Sequence, residues 1–325
     1  MKSGILNVYK EAGMTSHDVV AIVRGVLGMK RIGHTGTLDP MATGVLPVCV
    51  GKATRLADLI SAQGKAYLCT CQFGYATNTL DATGTVLEQA PRRFFSRGEI
   101  EEAMVRFQGP ILQKPPMFSA VRKNGRRLYE YARRGEEVER EARPVTIAEL
   151  RLVSLCEDRL SFYCRCSKGT YIRVLVDEIG RALGSLATMT TLERVEAGPY
   201  KADDATPISR LKEMSREQAE ALILPMETAV AHLPGLHVTE EAARRLCCGQ
   251  EVAVSGQTGF GAVSGAAAEG KSDAMEQEEL SLFGPDGFLG LGRMLKTEAG
   301  TVLKLKKLLC EMPQSERNGR ADEDH

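Results

Sequence analysis

The chain has no tryptophan, no Cys-x-x-Cys pair and no net charge, 42 Lys and Arg balancing 42 Asp and Glu over 325 residues. It also lacks any long apolar run. The most continuous ones, Val45–Val50 and Val19–Val23, fall far short of the ~18–20 residues that a membrane-spanning helix needs. Met1–Lys10 holds no apolar stretch ahead of a small-residue cleavage site, so no secretory leader is expected. The expectation is a soluble, cytoplasmic protein. Nine cysteines make an odd set. Cys69/Cys71 and Cys164/Cys166 alternate inside apolar runs, which puts each pair on one face of a strand. The cysteines read as small buried residues of a reducing compartment rather than disulfides or a zinc site.

Motifs of several common chemistries are missing too. Five histidines without a His-Glu-x-x-His pattern speak against a catalytic metal. There is no Gly-x-Ser-x-Gly elbow. Gly51-Lys52-Ala53-Thr54 has Leu46 five residues before its glycine and Ala after its lysine, so a phosphate-cradling P-loop fails twice. Gly259 to Gly265 has neither the spacing nor the strand-helix context of a dinucleotide loop.

What is present is unevenly distributed. Residues 1–230 carry a net charge of +5 and residues 231–325 a net −5. Lys114–Arg134 holds seven basic residues (Lys114, Arg122, Lys123, Arg126, Arg127, Arg133 and Arg134) against Glu130 alone. Such a segment suits a phosphate backbone, or else is an ordinary solvated helix face.

The first ~230 residues read as mixed α and β. Ile5–Tyr9 suits a strand, and Ser16 can cap a helix carrying Val19, Val20, Ile22, Val23, Val26 and Leu27. Lys65–Phe73 and Ala148–Cys166 are rich in strand formers, with a hairpin turn at Glu157–Asp158. Helical patterns fit Gly98–Phe107, Arg126–Arg133 and Ile172–Leu183. The expected class is α+β, with a mixed, mostly antiparallel sheet in a catalytic domain over 1–230. A small β-rich module follows over 231–312, with His232–Val254 and Leu282–Leu309 as its halves. Between them Ser255–Glu279 is Gly/Ala/Ser-rich and then acidic, which reads as a flexible insertion at 255–279. Residues 313–325 read as a frayed, disordered tail.

One segment is dense in possible chemistry. In Arg31–Leu46, Gly33, Gly36 and Gly44 bracket His34, three threonines and the single acid Asp39. Pro40 biases Asp39 toward an extended backbone, which fixes a carboxylate at a loop edge. An Asx-turn in a structural loop is the plainer reading.

Gly33-His-Thr-Gly-Thr-Leu-Asp39-Pro-Met-Ala-Thr-Gly-Val-Leu46 closely resembles the signature of bacterial tRNA pseudouridine-55 synthases. Asn7–Val20, Lys65-Ala-Tyr67, Pro116–Ala120 with Gly125–Arg133, Ser167–Arg173 and Leu192-Glu-Arg194 resemble that family's other motifs, collinear over roughly residues 4–230. Glu11 stands where the family usually has Pro, and Asn78 where an Asp is common. The resemblance implies a pseudouridine-synthase catalytic domain followed by an RNA-binding module of the type called PUA. It implies isomerisation of uridine 55 in the T-loop of tRNA, with the T-arm stem-loop as partner, no cofactor, no metal and a monomer.

The resemblance also assigns residues. Asp39 becomes the nucleophile, ionised at neutral pH without assistance. Burying a carboxylate beside a nucleobase favours its neutral form, so a fixed cation is expected nearby. Arg173 is implied in that role. Tyr67 is implied as a stacking wall, and as a base if its hydroxyl acidity is raised. Tyr171 and Leu192 are implied as pocket walls, and Lys10 as a residue that shapes the loop or contacts phosphate. His34 is implied to occupy the stack vacated by a flipped uridine; a histidine that only hydrogen-bonds its own loop is the alternative. A noncatalytic tRNA-binding or RNA-folding protein and an aspartate-nucleophile hydrolase are the rival readings.

Overall fold

Strand alternation sets the frame that carries the loop of Asp39. In Lys65–Phe73, residues 65, 67, 69, 71 and 73 are all buried while Leu68 is exposed. On one side this strand pairs with Arg159–Cys166, Tyr67 lying opposite Cys164. On the other it pairs with Ala187–Ala197, Tyr67 lying opposite Arg194. The computed structural model describes residues 2–91, 93–254, 260–264, 279–298 and 300–310.

The ten-stranded sheet runs Thr206–Pro207, Gly4–Lys10, Thr43–Val50, Ala187–Ala197, Lys65–Phe73, Arg159–Cys166, Arg143–Cys156, Gly109–Gln113, with Ile32–His34 and Tyr200–Lys201 as side pairings. Pairing is antiparallel from Ala187–Ala197 outward to Gly109–Gln113, and parallel at Glu193↔Thr43 and Val8↔Thr206. The expected mixed, mostly antiparallel α+β sheet is therefore present, and Glu157, at φ 50°, turns the hairpin where alternation placed it.

Gly44 is needed where two strands meet. It has φ 107°, and a Cβ there would lie 2.2 Å from the carbonyl oxygen of Arg194. Only glycine lets the strand after the Asp39 loop approach Ala187–Ala197 so closely.

Three local expectations need correction. The cap of helix Ser16–Leu27 is Thr15, not Ser16: Thr15 and Asp18 form a reciprocal capping box. Ser16 is buried in the first turn, and its Oγ accepts from the Leu38 amide at 2.9 Å. The helix expected over Arg126–Arg133 shrinks to Leu128–Ala132. Arg122–Lys123 and Arg126–Arg127 instead form a short hairpin about Asn124 and Gly125, both at positive φ, as a two-residue primed turn requires. Five cysteines are buried, but Cys156 and Cys248 are exposed and Cys247 and Cys310 half-buried. The last four lie at element ends, where burial gives way to solvent.

By contact clustering the chain forms two compact units. Leu6–Val48 with Asp58–Leu222 make the larger; Cys49–Ala57 and the described residues from Ile223 onward belong to the smaller. The smaller holds a six-stranded sheet in the order Val252–Ala253, Gly300–Leu308, Gly287–Thr297, Glu279–Gly284, Gly235–Val238, Phe260–Ser264. Leu236, Leu246, Leu280, Leu282 and Leu303 form its core, with helix Glu240–Cys247 contributing Leu246. Part of the segment read as a flexible insertion is thus ordered. Phe260–Ser264 pairs antiparallel with Gly235–Val238, and Glu279 opens a strand. Residues 255–259 and 265–278, and the expected tail 313–325, lie outside the described residues.

Candidate active site

Two buried cations hold the loop of Asp39 from below. Lys10 is fully buried, and its Nζ donates to the carbonyls of Ala42 at 2.7 Å, Glu11 at 2.9 Å and Pro40 at 3.2 Å. All three ammonium protons are directed at carbonyls in and beside the loop. Burial pulls its pKa down to about 8. Arg194 is 1% exposed; its Nε donates to the carbonyl of Val45 at 2.8 Å and its Nη2 to that of Gly36 at 3.2 Å. With Ser16 fixing the Leu38 amide and Gly13 donating to the Pro40 carbonyl at 2.9 Å, the loop backbone is tied on both sides of Asp39.

The carboxylate itself is left to the cleft. Arg173 Nη2 donates to Asp39 Oδ1 at 3.0 Å, with side-chain exposures of 6% for Arg173 and 33% for Asp39. Arg173 sits in the first turn of helix Ile172–Ala182, yet it turns inward rather than to solvent. Its Nη1 donates to the Thr79 carbonyl at 3.3 Å, and its buried Nε has no hydrogen-bond partner. A guanidinium keeps its charge under such burial.

A cleft of about 870 Å³ opens above this pair, within the ~300–1,000 Å³ range of ligand clefts. Asp39, Tyr67, Tyr171, Arg173 and Leu192 all line it. Tyr171 is fixed by an exchange of hydrogen bonds with the Gln113 amide, at 3.0 and 3.3 Å. The Tyr67 phenol hydrogen-bonds Arg194, but burial outweighs that cation and pushes its pKa up to about 12. The shift is opposite to the one that would make it a base, so in this state Tyr67 is a neutral ring.

His34 is not among the cleft-lining residues; its neighbour His17 is. The two rings meet edge to face, with centroids 5.3 Å apart, and His34 Nδ1 accepts from the Gly36 amide at 3.3 Å. Here His34 braces its own loop. Burial lowers its pKa to about 4, aided by His17 and Arg194. An unfolded imidazole takes its proton near 6.5, whereas the folded one stays neutral to about 4. The stability tied to His34 is therefore complete above pH 6.5 and lost as pH falls toward 4. A proton-NMR titration should give His34 a midpoint near 4, and His34→Gln should flatten the fall in Tm over that range. A midpoint near 6.5 would refute this.

Other residues line the cleft as well. Arg194 follows Leu192 by two, on the same strand face and in the same Leu192-Glu-Arg194 motif. Asp81 is the buried acid of the cleft rim, accepting from Thr79 Oγ1 and from the amide and hydroxyl of Thr83. Asn78, by contrast, receives the Thr85 amide at 2.9 Å. Arg127, Tyr129 and Arg133 bring the basic segment to the rim, both guanidiniums lying within 6 Å of the Tyr129 ring. Among the described residues no group of three or more His, Cys, Asp or Glu could hold a metal, and no helix is long and apolar enough to cross a membrane.

The mixed sheet agrees with the comparisons, which place the chain among the pseudouridine synthases. Residues 24–172 match the TruB family pseudouridylate synthase N-terminal domain and residues 173–231 the tRNA pseudouridylate synthase B C-terminal domain, so the chain belongs to the TruB family of isomerases. It is 46% identical over 254 residues to tRNA pseudouridine synthase B of Symbiobacterium thermophilum, covering 77% of this chain and 83% of that protein. Identity to the Chromohalobacter salexigens protein of the same name is 40% over 299 residues, 92% of each chain. The crystal structure of a Cbf5-Nop10-Gar1 complex matches with a TM-score of 0.71 at 25% identity, covering 96% of this chain and 86% of that one.

Proposed function

We propose that the chain converts uridine 55 in the T-loop of tRNA to pseudouridine, with Asp39 as the carboxylate that attacks a flipped-out uridine. The carrying observation is the pair at the cleft floor. Asp39 is presented to the cleft with one oxygen held by Arg173 at 3.0 Å while the loop around it is tied down from beneath. The close relatives named tRNA pseudouridine synthase B support the tRNA substrate.

The reaction detaches uracil from ribose, turns it and rejoins it through C5, with no net gain of atoms or electrons, so its balance requires no redox partner. Arg173 holds a fixed positive charge against the Asp39 carboxylate when a base excludes water from the cleft. Tyr67, Tyr171 and Leu192 wall the detached ring, and Lys10 and Arg194 keep the loop from yielding. His34 stands next to His17, which lines the cleft, and an imidazole there can take the place of the flipped base. The unstacking itself costs a few kcal/mol.

Release of tritium from [5-³H]uridine-labelled tRNA tests the reading, because forming the carbon–carbon bond expels the C5 hydrogen. Stoichiometric release with pseudouridine at position 55 is expected. Tight tRNA binding without release would favour the noncatalytic RNA-binding reading, and indifference to RNA the hydrolase.

The basic hairpin carries a separate expectation. Arg122 and Arg126 are exposed, and Lys123 and Arg127 half-buried beside them. Neutralising all four should weaken binding to any tRNA sequence and flatten the slope of log affinity against log salt by about one per lost phosphate contact. An unchanged affinity and slope would make the hairpin an ordinary solvated surface.

A further inference from the structure

We propose that Cys247 and Cys310 form a disulfide-competent thiol pair, a modification site in the smaller unit that couples its last helix to its last strand. The two Sγ atoms are 3.8 Å apart, in van der Waals contact, and both residues are half-buried. A disulfide needs about 2.05 Å, so closure brings the two sulfurs about 1.8 Å closer than the 3.8 Å at which they stand. Both side chains pack against the same apolar cluster of Leu236, Leu246 and Leu303.

The backbone on each side is held. Cys247 ends helix Glu240–Cys247. Cys310 lies two residues beyond strand Gly300–Leu308, its amide donating to the Leu289 carbonyl at 3.1 Å and its carbonyl accepting from Lys52 Nζ at 2.5 Å. Arg55 Nη1 donates to the Leu308 carbonyl at 2.8 Å, and Lys307 Nζ to the Arg55 carbonyl at 3.0 Å. The strand end is thus clasped in place opposite the helix end. The other cysteines differ: Cys49, Cys69, Cys71, Cys164 and Cys166 are buried out of reach of an oxidant, and Cys156 and Cys248 are exposed.

The oxidant is a low-molecular-weight disulfide such as oxidised glutathione. One cysteine, as thiolate, attacks a sulfur of the small disulfide, forming a mixed disulfide and releasing one small thiol. The second cysteine gives up its proton and attacks the protein sulfur of that adduct, expelling the other small thiol. Two protein thiols are oxidised, one disulfide is reduced to two thiols, and the two protons pass to the released thiols.

The test uses the full chain, folded and fully reduced, equilibrated with graded ratios of reduced to oxidised glutathione, then alkylated and mapped by tryptic peptides. The expected product is an intramolecular link between the peptides of Cys247 and Cys310, without retained glutathione. Cys248→Ser should keep the link, since Cys248 shares a tryptic peptide with Cys247. Cys247→Ser or Cys310→Ser should abolish it and leave the remaining cysteine as a glutathione adduct. The oxidised wild type should melt at a higher temperature than its reduced form, and Cys310→Ser should lose that difference. A link through Cys248, an intermolecular dimer, or stable glutathione adducts on both Cys247 and Cys310 of the wild type would overturn the proposal.

Discussion

Arg173→Met is expected to cut single-turnover pseudouridine formation by about a thousandfold, the scale of losing one charge-stabilising donor in a closed site, with tRNA affinity changed only a few-fold. The guanidinium is 6% exposed and donates to Asp39 at 3.0 Å and to the Thr79 carbonyl at 3.3 Å. It therefore sets the direction of the carboxylate and places a fixed positive charge against it, as a nearly buried side chain of the cleft lining. Met fills similar volume without charge, so the loop, tied by Lys10 and Arg194, should keep its shape. Arg173→Lys should recover part of the rate, because it restores the charge but cannot fork between two acceptors. A Met variant with rate near wild type would separate Arg173 from the chemistry. A large loss of affinity at unchanged rate would make it an RNA contact.

How far the fold could be read in advance depended on the range of the interactions. The strand pair read over Ala148–Cys166 and the strand read over Lys65–Phe73 follow from side-chain alternation, a local property; both are present, and the first arm of the pair begins earlier than read, at Arg143. Helix Ile172–Ala182 likewise follows from an apolar stripe that leaves polar residues outside. The Asp39 loop stood out because its glycines, threonines and proline are poor core material, and the cleft is where it lies. What escaped reading was set by distant partners. Strand Phe260–Ser264 exists because Gly235–Val238 offers an edge, and its glycine-rich composition concealed it. Ser16 looked like a cap because it precedes an apolar stripe; a partner 22 residues on, the Leu38 amide, claims its hydroxyl.

The same rule divides the site. Asp39, Tyr67 and Arg173 sit in distinctive local motifs and meet in one cleft. Arg194 lies in a motif, but its role is not legible there: its acceptor at Gly36 is 158 residues away and nothing local shows that a charged side chain is buried. The carbonyl partners of Lys10 at positions 40 and 42 are likewise distant in the chain and come within reach only once the loop is folded over it. Asn78 stands where the family commonly has Asp, and three residues on Asp81 is buried, held by three hydrogen bonds from Thr79 and Thr83.

The central claim is that Asp39 makes the covalent contact with the nucleoside, and Asp39→Asn tests it most directly. Asn is nearly isosteric, and its side-chain oxygen can still accept from Arg173 and make the same local turn. It lacks the negative charge and nearly all the nucleophilicity. Removing the partner of a fully buried arginine can cost ~3–5 kcal/mol, but Asp39 is one-third exposed, so the loss of stability should fall below that range and the variant should fold. The measurement is tritium release from [5-³H]uridine tRNA under enzyme excess, with the melting temperature and tRNA affinity of the same preparation recorded alongside. The account predicts a folded protein that binds tRNA within a few-fold of wild type and releases no tritium above background. A folded Asp39→Asn variant that releases tritium at a rate near wild type would contradict it.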